Sequence, residues 1–164
     1  MHDEAMVFLA ANIDRKASSV LDVGGRDING SPRALFPTAD YVALDVVDGP
    51  GVDLVADIVG WSSRRKFDVV ICAEVLEHAE DWPAVVRACW RHVAPAGRLL
   101  VTCATTGREP HSAVDGGPLR RGEWYAAVQP GDLEKALPGA TVEFHPARGD
   151  LYAAAVKPKA VKGG

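Results

Sequence analysis

Residues 20–30 read Val-Leu-Asp-Val-Gly-Gly-Arg-Asp-Ile-Asn-Gly. A short apolar run carries an acidic residue, passes at once into two glycines, and then gives way to a helix signal. A buried parallel strand delivers its carboxyl end to a bound ligand in this way, and Gly24 and Gly25 let the backbone come close to it. A second run, Tyr41-Val-Ala-Leu-Asp45, ends on another carboxylate. Asp45 lies about twenty residues beyond the glycines, the distance at which a carboxylate can take a ribose diol. The pair of features confines the chain to crossover-connected α/β architectures with a nucleotide-like ligand at the strand ends.

The remaining pattern agrees. Apolar residues at Met6, Leu9, Ala10 and Ile13 have a helical period, predicting a helix within 4–17. Ser31-Pro32 is a good N-cap and first-turn pair, so a short helix should start there and stop before Pro37. Runs at 20–24, 41–46, 52–56, 67–73 and 97–104 suit buried parallel strands. Trp82, Val85, Val86, Cys89, Trp90 and Val93 form a helical stripe over 81–93, which reads as core packing, with Pro95-Ala-Gly97 ending it. Residues 105–123 are rich in Gly, Pro, Arg and Ser and show little periodicity, as functional or mobile loops do. A short helix from Pro130 to Leu137 follows. Runs at 140–145 and 151–157 are close enough to pair as an antiparallel hairpin at the sheet edge. Alternating strands and helices give an α/β fold with a mostly parallel sheet. We expect one domain over 1–158 and a basic, flexible tail over 159–164.

Composition narrows the function. The 164 residues carry a net charge of −4, so no strong field draws in nucleic acid or an anionic membrane. Nucleic acid is therefore an unlikely partner. The N-terminus is acidic, and no apolar run approaches about 20 residues, so neither a leader nor a membrane span is expected. Cys72, Cys89 and Cys103 lack metal-type spacing and read as buried reduced thiols, which fits a cytoplasmic protein. Nothing here fixes an oligomeric state.

Four stretches in order carry a family resemblance: Leu21-Asp-Val-Gly-Gly25, Tyr41 to Asp45, Val52 to Asp57, and Phe67 to His78. Over roughly 18–158 the chain resembles a small class I S-adenosylmethionine-dependent methyltransferase of the type 11-like kind. The resemblance implies a Rossmann-like three-layer sandwich, whose seven-stranded, mostly parallel sheet has its last strand inserted antiparallel. It implies S-adenosylmethionine as cofactor and a small molecule as acceptor. Asp22 would accept from the ammonium, directly or through water. Asp45, with Val46 beside it, would take the ribose hydroxyls. Asp57 and Ile58 would meet the adenine edge, and the backbone near Ala73 and Glu74 the methionine portion. Gly24 and Gly25 form the loop. The family pattern has a glycine where this chain has Arg26, whose side chain would either reach the ligand carboxylate or point to solvent.

Glu74, Glu77 and His78 could face one way at a helix start, with His111 as a fourth group. Small-RNA 3′-terminal methyltransferases resemble this and use a divalent metal there. The same Glu-Val-Leu-Glu-His run occurs in metal-free members, so no metal is expected. His78 and His111 are the histidines available as general bases. Other readings are a metal-dependent RNA 3′-end methyltransferase, a non-catalytic cofactor-binding module and an NAD-dependent oxidoreductase. The last lacks the Gly-x-x-Gly continuation and a separate substrate domain. The inserted segment 105–126 is expected to be a lid over the acceptor pocket.

Overall fold

The computed structural model describes residues 3–13, 16–145 and 148–160. Its seven strands are β1 Ser19–Val23, β2 Asp40–Asp45, β3 Leu54–Val55, β4 Phe67–Ala73, β5 Val93–Ala104, β6 Thr141–His145 and β7 Asp150–Val156. They lie in the order β3-β2-β1-β4-β5-β7-β6. The first five are mutually parallel. β7 pairs antiparallel with β5 on one side and β6 on the other. The C-terminal hairpin therefore places its second strand inside the sheet, and β6 forms the edge on that side.

The helices cover both faces. α2 (Trp82–His92) and α3 (Pro130–Ala136) bury Val85, Val86, Cys89 and Leu133 against Leu21, Val70, Leu99 and Leu151 on one face. α1 (Asp3–Asn12) buries Ala5, Phe8 and Leu9 against Val20, Val69, Ile71 and Tyr152 on the other. The result is three layers with two apolar interfaces, one for each face of the sheet. Strands buried on both sides read as continuous Val, Leu and Ile runs, which is why the sequence showed them so plainly.

Several boundaries differ from the sequence reading. The first helix stops at Asn12; of the remaining residues assigned to it, 14 and 15 lie outside the described set. The Ser31 cap forms, with Oγ accepting from the Arg33 amide at 3.2 Å, but it opens a 3₁₀ turn over Pro32–Leu35 rather than an α-helix. The run at 52–56 makes only a two-residue strand. Pro95–Gly97 does not end α2. The helix closes at His92, where the Val93 amide turns back to the Trp90 carbonyl, and the Pro-Ala-Gly residues form an irregularity inside β5. Ala96 there has φ of 65°, and the β4–β5 register shifts between Phe67 and Val69. Pro146, Ala147 and most of the expected tail, residues 161–164, lie outside the described residues. Cys72, Cys89 and Cys103 are all buried free thiols, as expected.

Candidate active site

A cavity of about 1150 Å³ opens at the carboxyl ends of β1, β2 and β4. Parallel strands end there together, and the chain must turn sharply to leave each one. After β1 the Gly24 and Gly25 amides both donate to the Leu44 carbonyl, at 2.8 and 3.1 Å. Gly24 has φ of 76°, and a Cβ on it would sit 2.2 Å from Val75 Cγ2. A Cβ on Gly25 would come within 2.7 Å of the Ala43 Cβ. Neither position takes a side chain without moving β2 or the chain after β4.

Of the residues expected at a cofactor, Gly24, Asp45, Val46, Asp57, Ile58, Ala73 and Glu74 all line this cavity. Asp45 ends β2. Its Oδ1 accepts from the Val47 amide at 2.9 Å and its Oδ2 from the Arg26 amide at 3.3 Å. Each oxygen keeps a second acceptor site, so the carboxylate is held in place and still able to receive two hydroxyls. Asp57 is fixed likewise, its Oδ1 accepting from the Val59 amide at 2.9 Å. Glu74 turns the chain out of β4 with φ of 57°, a conformation that non-glycine residues rarely hold outside functional turns. Its Oε1 accepts from Thr102 Oγ1 at 2.9 Å, and its Oε2 lies 3.5 Å from Arg108, which also pairs with buried Asp150.

Two expected residues stand elsewhere. Gly25 does not line the cavity; it sits against β2 behind the loop. Asp22 also lies outside it. It is an inner residue of β1, aligned with Ala43 and Ile71, on the face covered by α1. It is 2 % exposed and accepts a 2.6 Å bond from the Tyr41 hydroxyl. Burial pushes its carboxyl up to about 7, against the opposing pull of the Tyr41 bond and Arg33. Asp22 thus stands behind the glycine loop, bonded to Tyr41, and is not among the residues lining the cavity.

Arg26 lines the cavity, and its guanidinium is engaged by the protein's own backbone. Its φ is ordinary, and its Nη2 donates to the carbonyls of Ala113 and Val114, each at 3.0 Å. These carbonyls belong to the segment 105–126, which folds over the cavity as a flap. The Ser112 amide donates to the Gly117 carbonyl, and Ser112 Oγ to Glu123, tightening the flap's tip. The Ala126 amide donates to the Glu77 carbonyl at 2.9 Å, tying its far end to the body. No periodicity signals this latch, because its acceptors are backbone oxygens far along the chain.

The flap brings His111 to His78, with ring centroids 5.0 Å apart, and Tyr125 lies 5.4 Å from the His78 ring. Glu77 lies beneath them, fully buried. Burial, then the nearby Glu74 charge, pushes the Glu77 carboxyl up to about 8, while the Glu77 and Ala104 amides and Arg108 oppose the rise. Burial, then His111, drops His78 to about 4, so its ring is uncharged at neutral pH. Arg108 was not marked as a site residue by the sequence; only the fold carries it to the cavity.

Comparisons with known proteins bear on this geometry. A family model described as a methyltransferase domain matches residues 3–140. A ubiquinone biosynthesis O-methyltransferase of Pseudomonas fluorescens is 32% identical over 148 residues, covering 80% of this chain and 59% of that protein. A second, from Pseudomonas entomophila, is 39% identical over 118 residues, covering 60% of this chain and 50% of that protein. The chain thus spans between half and three fifths of the length of these two relatives. Among solved structures, 1,6-didemethyltoxoflavin-N1-methyltransferase of Burkholderia thailandensis, with bound 1,6-didemethyltoxoflavin and S-adenosylhomocysteine, has a TM-score of 0.69 at 17% identity, over 95% of this chain and 77% of that one. N-methyltransferase NodS of Bradyrhizobium japonicum, with S-adenosylhomocysteine, has a TM-score of 0.64 at 18% identity, over 95% and 85%. At such identities the likeness is one of fold.

Proposed function

The chain belongs to the methyltransferase-domain family, and from that premise we propose that it transfers a methyl group from S-adenosylmethionine to a small organic acceptor. One observation carries the reading. The cavity at the strand ends is lined by Gly24, Asp45 and Asp57 together, with both carboxylates held by backbone amides and still open to a ligand. Residues 1–158 act as one unit in this reading.

Asp45 accepts the two ribose hydroxyls in charge-assisted bonds. Val46 and Ile58 give apolar contact, and Asp57 meets the adenine edge. The turn at Gly24 and the backbone at Ala73 and Glu74 bracket the amino-acid end. Bound there, S-adenosylmethionine would supply an electrophilic methyl group, the new bond to the acceptor being balanced by loss of the carbon–sulfur bond and of the sulfonium charge. The acceptor's proton passes to solvent. The protein's main contribution is to hold acceptor atom, methyl carbon and sulfur in line. His78 and His111 face the acceptor end, where they direct its approach; the burial that keeps His78 uncharged also weakens it as a proton acceptor.

Names of relatives support the class: two are O-methyltransferases, and two neighbours of the same fold were crystallised with S-adenosylhomocysteine. A small acceptor fits the enclosed flap. No helix among the described residues is long and apolar enough to cross a membrane, and the free thiols suit the cytoplasm. Calorimetric titration with S-adenosylmethionine, S-adenosylhomocysteine and NAD tests the proposal. Saturable 1:1 binding of the first two, without NAD, is expected. Binding of NAD alone, or of none, overturns it.

A further inference from the structure

Resting on the transfer reading above, we propose that Arg108 is a positioning residue of the cofactor pocket. It acts through Glu74, holding the turn after β4 in place and setting how far the site prefers the sulfonium cofactor to its uncharged product. Arg108 lines the cavity near the start of the segment 105–126, and its guanidinium bridges two carboxylates. Nη1 donates to Asp150 Oδ1 at 2.5 Å, and Nη2 lies 3.5 Å from Glu74 Oε2.

Asp150 is the fixed end of the bridge. It opens β7 opposite Ala104, and its side chain is fully buried. A carboxylate so placed has to keep charged or hydrogen-bonding partners, which ties the guanidinium to it. The backbone under Arg108 is seated as firmly. The Thr105 amide donates to the Gly149 carbonyl at 2.7 Å, and the Arg108 amide to the Thr105 carbonyl at 3.2 Å. A Cβ on Gly149, where φ is 67°, would come within 2.5 Å of the Arg108 nitrogen. The guanidinium is therefore carried on the close-packed root of the flap rather than on its tip.

Glu74 is the end that meets the ligand. Its φ of 57° is one that a non-glycine residue keeps only where its surroundings over-determine it. The Glu74 amide donates to the Thr102 carbonyl at 2.8 Å, Oε1 accepts from Thr102 Oγ1 at 2.9 Å, and Oε2 faces Arg108. Thr102 is buried within β5, whereas Arg108 shares the cavity wall with Glu74. Charge gives the bridge its second effect. Two carboxylates against one guanidinium leave one net negative charge in the bridge. The transfer reading places the methionine portion, with its sulfonium, against this turn. A charge in a cavity wall is screened less than one in open solvent. It attracts the cationic cofactor and is indifferent to the extra charge that the thioether product lacks.

The test compares S-adenosylmethionine with S-adenosylhomocysteine by calorimetry at about pH 6, where Glu77, pushed up to about 8 chiefly by burial, is uncharged. Arg108→Met should weaken both ligands, because the turn loosens, yet raise the preference for the sulfonium form at least about threefold. Glu74→Gln should lower that preference by a factor of about the same size. Arg108→Lys keeps the charge but not the fork, so both affinities should fall with their ratio unchanged. A merely structural role would weaken both ligands alike in every variant. Glu74→Gln leaves Arg108 on Asp150 and carries the test should Arg108→Met fail to fold. Three results overturn the inference and leave the transfer reading standing: a ratio left unchanged by either charge-altering variant that folds, shifts of the same sign in the two, or a shift in Arg108→Lys as large as in Arg108→Met. Binding of neither ligand by the unaltered protein overturns both.

Discussion

Asp22 and Asp45 look alike in the sequence, each an acidic residue near the end of an apolar run, and the fold gives them opposite environments. Asp45 is the last residue of β2, at the rim, tied by two amides and open to the cavity. Replacing it by Ala should weaken S-adenosylmethionine by about 1.5–3 kcal/mol, the usual worth of hydrogen bonds to a charged group. Calorimetry on the variant checks this, and unchanged affinity would remove Asp45 from the site. Asp22 sits inside the sheet with Tyr41, beneath Arg33, whose guanidinium lies 4.5 Å from the Tyr41 ring centre. The native state raises its pKa from 3.8 to about 7, so between those values the folded chain binds the proton and the unfolded chain does not. Stability from this group is therefore full below about pH 4 and is lost as pH rises to about 7. Asp22→Asn should flatten that slope, read as melting temperature against pH. An identical slope in the variant would show that Asp22 is charged in the fold throughout.

Among elements, the flap over 105–126 decides how the cavity opens. Arg26 couples it to the glycine loop, because the same residue gives its amide to Asp45 and its guanidinium to two flap carbonyls. We expect hydrogen exchange across 105–123 to be fast in the free protein and slower once cofactor and acceptor are bound. Arg26→Ala should speed exchange around 112–118 in the free protein, with little change in α2. Full protection of the empty flap would make it a fixed wall. Its own internal bonds, from Ser112 to Gly117 and Glu123, favour motion as a unit hinged near its ends.

For the whole molecule, ligand binding and folding are linked. S-adenosylmethionine at about one hundred times its dissociation constant should add about 2.7 kcal/mol, raising the melting temperature by roughly 5–10 °C. A melt that does not move under saturating ligand would contradict the cofactor assignment. The sheet order makes a second demand. β7 lies between β5 and β6, with Leu151, Tyr152 and Ala153 fully or almost fully buried. A chain ending before residue 150 should lose cooperative unfolding, since β5 then exposes its full inner edge.

By itself the sequence determined the strands, the helix stripe of α2, the glycine loop and the carboxylates Asp45 and Asp57. These are local matters: apolar runs buried on both faces, turns that exclude a Cβ, and acids placed where a parallel strand ends. The tertiary structure alone decided which face Asp22 occupies, because one residue of strand register separates a ligand-facing group from a buried one. It alone turned Arg26 onto the flap. It also drew His111 to Glu77 and His78, and turned Glu74 away from them toward Thr102 and Arg108. Each of these contacts joins residues far apart in the chain through a backbone carbonyl or a buried side chain, and such partners leave no periodicity for a sequence to display.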